Sequence, residues 1–293
     1  MAERVIVVGS INADIIATVR ARANAGETVL ATGVARRPGG KGANQAAAAA
    51  RAGADTRLIA AVGDDAEAGA QLAELERDGV DVSAVLVAPG ESTGVALITV
   101  TPDGENAITV AAGANATLGP GAVRRALAEA EPALVVLQTE VPREVIEAVA
   151  GWCAMAGARL VFNNGPFVPV SAETLAAADP LVVNEHEAQD VCAAHGVAPT
   201  DDLAGTVARL TGARSVVVTL GGQGCQVVEG GRSTRVPAER AERVVDTTGA
   251  GDTFLGTLAA SLAAGSTLGI AVGAAAVAAA DSVSWVGARP PRV

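Results

Sequence analysis

The chain has 293 residues, 50% of them hydrophobic and 18% charged, with a formal net charge of −11. That length can bury a full core, in one large domain or in a large domain with a small appendage, and the acidic balance excludes the wrapping of nucleic acid, which needs a basic face. Aromatic residues make up only 2% and Tyr is absent, so small side chains, chiefly alanine and valine, must fill the interior.

From the N-terminus, MAERVIVVGS puts charges ahead of a short apolar run and carries no secretory pattern. Residues 4–8 read as a buried strand. GSINAD (9–14) follows it and does not match G-x-G-x-x-G, so a dinucleotide site has no support. Asn12 and Asp14 alternate along an extended segment and can face the same way. Polar groups at the C-terminal end of a strand suit a polyol, and turn chemistry explains them equally well. Residues 13–37 alternate without long helical periodicity. GGKGANQ (39–45) then leads into an Ala-rich helix at 43–52. It is not a P-loop, because no Ser or Thr follows Lys41. Its small residues let a ligand touch backbone and Asn44 can donate and accept, although a flexible turn with a helix cap is the plainer reading.

A strand at 57–62 and a helix at 66–78 come next. Residues 92–110 again alternate, with Asp103-Gly104 as a hairpin signal. The two alternating segments, 13–37 and 92–110, are expected to form a small separate sheet that covers the site as a lid. The rest, 1–12, 38–91 and 111–293, forms the larger domain. Strands at 134–137, 160–162, 181–183 and 215–220 alternate with helices at 121–130, 143–156, 204–211 and 253–264. Continuous apolar strands with helical crossovers predict a mostly parallel central sheet in a three-layer α/β/α fold. The apolar segment 269–280 is shorter than the roughly 20 residues that span a bilayer and reads as a buried helix, so no membrane partner is expected. Cys153, Cys192 and Cys225 lack metal or disulfide spacing and read as small buried hydrophobes of a reducing compartment. His186 reads as a solvated surface residue and His195 as a helix C-terminus.

VVDTTGAGDTF (244–254) carries the most chemistry. Gly249-Ala250-Gly251 permits a tight turn, and an apolar helix begins near Asp252. Unpaired amides and the positive end of the helix dipole make such a start an anion site. An aspartate there is often only an N-cap. Flanked by glycines, it also has the placement of a base that removes a hydroxyl proton beside a transferring phosphoryl group.

With GGKGANQAAAAARAG and DTTGAGDTF in this order and at this separation, the chain resembles the ribokinase-like (pfkB-type) carbohydrate kinases over nearly its whole length. GSINAD, GET (26–28), ESTGVALI (91–98), AGAN (112–115), VNEHEA (183–188) and TLGGQG (219–224) add to the resemblance. The resemblance implies ATP-dependent phosphorylation of a small sugar, D-ribose at its 5-hydroxyl. Asp252 would be the base, and the amides of Gly249, Ala250 and Gly251 the anion hole. Asn12, Asp14, Gly39, Gly40, Lys41, Asn44 and Glu140 would hold the sugar with Asp252. Asn184, Thr219, Gly221, Gly222, Gly224, Gly251 and Ala276 would contact the nucleotide, with Asn184 and Glu187 organising Mg²⁺ through water. Asp246, Thr248, Ser282 and Gly287 would bind an activating K⁺. A cytoplasmic homodimer joined through the small sheet is expected, since Gly94–Val100 is apolar on both faces.

The sequence departs from the family pattern at Val183, at Asn163-Asn164-Gly165-Pro166, at Leu255 and at Pro291, and no helix is expected after GARPPRV. A kinase of another sugar or of a nucleoside is the nearest alternative. The absence of aromatics between Ile11 and Val110 favours a small polyol over a base. A non-catalytic sugar or nucleotide sensor is the alternative from another class.

Overall fold

The structure, a computed structural model, describes residues 4–103 and 106–291. In chain order the elements are β1 (Val5–Val8), β2 (Asn12–Val19), β3 (Ala31–Gly39), α1 (Lys41–Arg51), β4 (Thr56–Gly63), α2 (Ala66–Arg77), β5 (Val80–Ala88), β6 (Gly94–Val100) and β7 (Asn106–Ala111). There follow α3 (Pro120–Ala130), β8 (Leu134–Leu137), α4 (Arg143–Ala156), β9 (Arg159–Asn163), α5 (Ala172–Ala177), β10 (Ala178–Asn184), α6 (Glu185–Ala194) and α7 (Leu203–Thr211). The chain then forms β11 (Ser215–Thr219), β12 (Cys225–Glu229), β13 (Arg232–Val236), α8 (Ala250–Ala263) and α9 (Leu268–Ser282).

Nine strands form one sheet in the order β13-β12-β11-β10-β9-β8-β1-β4-β5. From β11 to β5 all neighbours are parallel, and β12 and β13 close one edge as an antiparallel hairpin. The apolar runs explain the parallel part. Val5 and Val7 enter the cluster under α1, α8 and α9, while Ile6 and Val8 enter the cluster under α3, α4 and α7. Such a strand is buried on both faces and has no place for a polar row. The three layers expected from the sequence are therefore present.

Four strands, β3-β2-β6-β7, form a second small sheet. β2 and β6 run parallel, and β3 and β7 flank them antiparallel. Asn12 pairs with both Gly39 and Gly94, and Val95 with Ala111, so all four strands are rooted along one row beside the large sheet. The expected hairpin at Asp103-Gly104 falls between β6 and β7, and Gly104 lies outside the described residues. β6 is less two-sided than its composition suggests: Ala96 is buried, while Leu97 is 50% exposed.

β5, α5, α6 and the β12–β13 hairpin carry no clear sequence signal. β5 mixes Asp81 and Ser83 into its apolar run because it is an edge strand of the large sheet. All three cysteines are buried and free. Among the described residues, no helix is long and apolar enough to cross a membrane.

Candidate active site

The parallel strands end together along one edge, the usual place for a ligand in an open α/β sheet. β1 delivers Ser10, β8 delivers Gln138 and Glu140, β9 ends in Asn163, β10 in Asn184 and β11 in Thr219. The N-termini of α1 and α8 point at the same edge, with Lys41 opening α1 and Asp252 in the first turn of α8.

Asp252 is buried, and both its oxygens are held from α1. Asn44 Nδ2 donates to Oδ2 at 3.1 Å and Gln45 Nε2 donates to Oδ1 at 2.9 Å. These are not N-cap contacts: Gly249 holds the cap position, in the left-handed region at φ 75°. A Cβ at Gly249 would stand 2.4 Å from Ala288, so glycine is required there twice over. Among the described residues no backbone carbonyl takes the amides of Gly249 or Gly251, whereas the Ala250 amide donates to Thr247 O at 3.3 Å. Two of the three expected anion-hole amides are thus open, and the third is engaged in a long turn bond.

The buried amides around Asp252 are themselves fixed. Gln138 Nε2 donates to Gln45 Oε1 at 2.6 Å, leaving Gln45 only its NH₂ group to offer the carboxylate. Asn163 donates to Val182 O at 3.1 Å and accepts from Gln45 at 3.4 Å. Arg289, near the end of the described chain, donates from Nε to Asn44 Oδ1 at 3.2 Å.

A carboxylate wall faces this group. Glu140 Oε2 accepts from Ser10 Oγ at 2.5 Å and from the Lys41 amide at 3.1 Å. Burial, with the charges of Glu140 and Asp252 adding to it, pushes the Asp14 carboxyl up to about 7, while Arg289 pulls it back. The Lys41 ammonium is held protonated more firmly than usual, first by Asp252 and then by Glu140 and Glu187, against the opposing effect of its burial. Gly39 makes room for Asp14: a Cβ there would lie 2.0 Å from Asp14 Oδ1. Gly40 adopts φ 87° where its Cβ would meet the backbone of residues 10–12. Asn12 is buried, and its Oδ1 accepts from Asn115 Nδ2 at 2.8 Å.

The second group lies at the ends of β10 and β11, where Asn184 and Thr219 are register partners. Asn184 caps α6: its Oδ1 accepts from the Glu187 amide and its own amide donates to Glu187 Oε2, both at 2.8 Å. The remaining Glu187 oxygen lies beside Gly165, where a Cβ would stand 2.3 Å away. Burial raises the Glu187 pKa. Gly221 and Gly222 are exposed beyond Thr219, and Gly224 has φ 86° with no room for a side chain against Val236 O. Ala276 lies on α9, half-buried against the apolar cluster. Among the described residues no cluster of three His, Cys, Asp or Glu could hold a metal alone. The site fits a divalent ion carried by phosphates and met by Glu187 through water, as Mg²⁺ usually is.

Asp246 accepts from the amides of Thr248 at 2.9 Å and Gly287 at 2.8 Å, and Ser282 turns its hydroxyl back to Ala279 O. Although burial alone would raise it, these hydrogen bonds and the charge of Arg37 hold the Asp246 carboxyl below its ordinary pKa. Asp246, Thr248 and Gly287 are thus tied together at the glycine turn, with Asp246 capping it, and Ser282 adjoins Val283, whose carbonyl accepts from the Asp246 amide at 3.2 Å. Gln45, Gln138, Asn163 and Arg289 were not singled out from the sequence as members of this site. Asn115 lay in a matching segment without a role.

A family model described as pfkB family carbohydrate kinase matches residues 2–292. The ribokinase of Bacillus subtilis (strain 168) is 37% identical over 262 residues, covering 89% of this chain and 86% of its own length. The crystal structure of Thermotoga maritima ribokinase superposes with a TM-score of 0.88 at 31% identity, covering 98% of this chain and 94% of the other. Arabidopsis thaliana ribokinase, solved with ribose and ATP, gives a TM-score of 0.87 at 31% identity and coverages of 98% and 95%.

Proposed function

Since the chain belongs to the pfkB family of carbohydrate kinases, we propose that its site transfers the γ-phosphoryl group of ATP to the 5-hydroxyl of D-ribose, giving D-ribose 5-phosphate and ADP. The observation that carries this reading is Asp252. It is a buried carboxylate at a helix start, gripped through both oxygens by Asn44 and Gln45 beside a glycine turn with open amides. The named ribokinase relatives support ribose as the acceptor.

In the proposed reaction Asp14, Asn12, Gly39, Gly40, Lys41, Asn44 and Glu140 hold the sugar. Asp252 takes the proton of the 5-hydroxyl. The oxygen attacks the γ-phosphorus, and the bond to the β-phosphate oxygen breaks to release ADP. Charge on the transferring group meets the amides of Gly249 and Gly251 and the positive end of α8. Ala250 joins them by releasing its 3.3 Å turn bond. Asn184, Thr219, Gly221, Gly222, Gly224 and Ala276 receive the nucleotide. A Mg²⁺ ion bound with ATP would neutralise its phosphates, with Asn184 and Glu187 ordering the ion's waters.

The small sheet, 13–37 and 92–110, is a lid over the sugar and a domain apart from the rest. A K⁺ ion binds Asp246 and the carbonyls of Thr248, Ser282 and Gly287, using lone pairs the amide bonds leave over. Two copies pair through their small sheets. The protein works in the cytoplasm, which its three unpaired buried cysteines support.

A coupled ADP-release assay over a panel of sugars and nucleosides tests the reading. D-ribose should give the highest kcat/KM. A nucleoside that outperforms every sugar would replace the acceptor, and no turnover with any compound would leave a binding protein.

A further inference from the structure

Arg289 is only 9% exposed, yet neither Nη1 nor Nη2 has a hydrogen-bond partner among the described residues. Its closest acidic neighbour is Asp78, with Nη1 at 4.0 Å from Oδ2. Burial pulls the guanidinium pKa down to about 10, although Asp78, Glu74 and Asp14 favour its charge. A buried, under-satisfied cation is a net burden on a fold and requires a reason to be there. Its one hydrogen bond supplies the reason: Nε donates to Asn44 Oδ1, and Asn44 Nδ2 donates to Asp252 Oδ2.

The chemistry of the three groups allows one arrangement. A guanidinium only donates and a carboxylate only accepts, so an amide between them must turn its oxygen to Arg289 and its NH₂ to Asp252. Without Arg289 the Asn44 amide could rotate, and its oxygen would then face the carboxylate with lone pair against lone pair. We infer that Arg289 is a positioning residue for the proposed phosphoryl transfer, locking the Asn44 amide so that it holds Asp252 and presents its remaining N–H to the sugar. The inference rests on the kinase reading above. It adds a residue that touches neither sugar nor nucleotide.

Arg289 also acts at longer range. It opposes the raising of Asp14, which faces burial and the charges of Glu140 and Asp252. Around Arg289 itself stand Asp78 and Glu74 from the end of α2, Arg51 from the end of α1 and Asp14 from β2. Removing the guanidinium therefore leaves Asp14 against Glu140 and Asp252, whose own compensating charge is Lys41, with Arg37 as the register partner of Asp14.

Three substitutions separate orientation from packing. Arg289→Met removes donor and charge, Arg289→Gln keeps a donor for Asn44 Oδ1 without charge, and Arg289→Lys keeps the charge. Arg289→Met should lower kcat/KM for the sugar by at least about tenfold, with the KM for ATP within about twofold of the parent. Arg289→Gln should recover most of the loss in kcat, while the acid limb of its sugar-KM profile moves to higher pH as Asp14 becomes harder to ionise. Arg289→Lys should leave that limb in place. A crystal structure of Arg289→Met or Arg289→Gln gives a readout apart from turnover: the Met variant should show Asn44 off Asp252 and the Gln variant should show it in place. Wild-type sugar kinetics in Arg289→Met, or an Asn44 still bonded to Asp252 in it, overturns the inference. So does equal impairment of the Met and Gln variants with parallel loss of ATP affinity. If Arg289→Met does not fold, an Arg289→Gln structure in which the Gln makes no bond to Asn44 Oδ1 while Asn44 still holds Asp252 overturns it. A parent enzyme inactive on every sugar would instead defeat the kinase reading, and the Asn44 geometry would still decide the role of Arg289.

Discussion

Asp252 lies buried with one side-chain amide donor on each carboxylate oxygen. Its type and its place after Gly-Ala-Gly were legible, because a helix start is a local property. The two donors that hold it come from α1, about two hundred residues earlier in the chain, and only Asn44 was singled out beforehand. Gln45, Gln138 and Arg289 carried no signal, since an amide or guanidinium in a polar motif looks the same whether it meets substrate, water or another side chain. Asp252→Asn should keep sugar binding and lower turnover by at least about 10²-fold, the scale for loss of a general base. Retention of a tenth or more of parental turnover at saturating ribose would remove Asp252 from that role. Asp14 makes a second, pH-linked case. Its folded carboxyl stands near 7 against an ordinary value of 3.8, chiefly through burial. A raised folded pKa contributes stability below the unfolded value that is lost as pH rises through the folded one. The fold should therefore lose stability between about pH 4 and 7 on account of this residue. Asp14→Asn, which cannot ionise, should melt above the parent at pH 8 and level with it at pH 4, by scanning calorimetry. The same variant should bind ribose more weakly while ATP affinity holds, and unchanged ribose affinity by titration calorimetry would take Asp14 out of the sugar site.

Among the elements, the parallel strands and the larger helices were readable because their burial imposes a pattern: apolar on both faces for β1, β8 and β11, Ala-rich for α1. β5 and β13 were not, because edge strands meet water on one side and dilute the pattern with Asp81, Ser83 or Arg232, and the buried β12 is a five-residue run broken by Gln226. α6 could have been found from its ends alone, since Asn184 and Glu187 three residues later form a capping box. The loop before α1 offers a sharp test. Gly39→Ala puts a methyl 2.0 Å from Asp14 Oδ1, so the carboxylate must move. The KM for ribose should rise at least about tenfold while that for ATP stays within about twofold, and steady-state kinetics with each substrate varied in turn would check this. The turn before α8 offers another. A carboxylate behind an anion hole opposes incoming phosphoryl charge unless positive charge offsets it. If K⁺ does so at Asp246, activity in K⁺ should exceed that in tetramethylammonium several-fold at equal ionic strength, and Asp246→Ala should abolish the difference. Equal rates for the parent in both salts would mean that the Thr248 and Gly287 amides and Arg37 suffice.

At the scale of the molecule, the division into a large parallel sheet and a small separate one followed from two kinds of periodicity, continuous apolar runs against alternation. What could not be read was which face of the small sheet stays open. By register, Asp14 lies in one row with Ala96 and Val110, and Ile16 in the next with Ile98 and Ile108. Ile108 is 55% and Val110 51% exposed. Open apolar side chains on the face that carries Asp14, proposed to hold the sugar, support the proposed pairing of two copies there. Light scattering at micromolar concentration should give a dimer mass, and Ile108→Glu should shift it toward the monomer. A monomer mass for the parent would sink the pairing.

The rooting of the small sheet along Asn12, Gly39, Gly94 and Ala111 has a mechanical consequence. Its strands extend about seven residues beyond that row, roughly 24 Å at the usual rise per residue. A rigid tilt of about 10° about the row carries the far ends by roughly 4 Å but Asp14, two residues out, by only roughly 1 Å. If the small sheet is the lid proposed above, the polar groups of GSINAD and GGKGANQ sit near its fulcrum and its tip does the sweeping. On that proposal a small ligand would be gripped at the fulcrum while the mouth stands ajar, and its capture and the exclusion of water would be separable steps of one moving part.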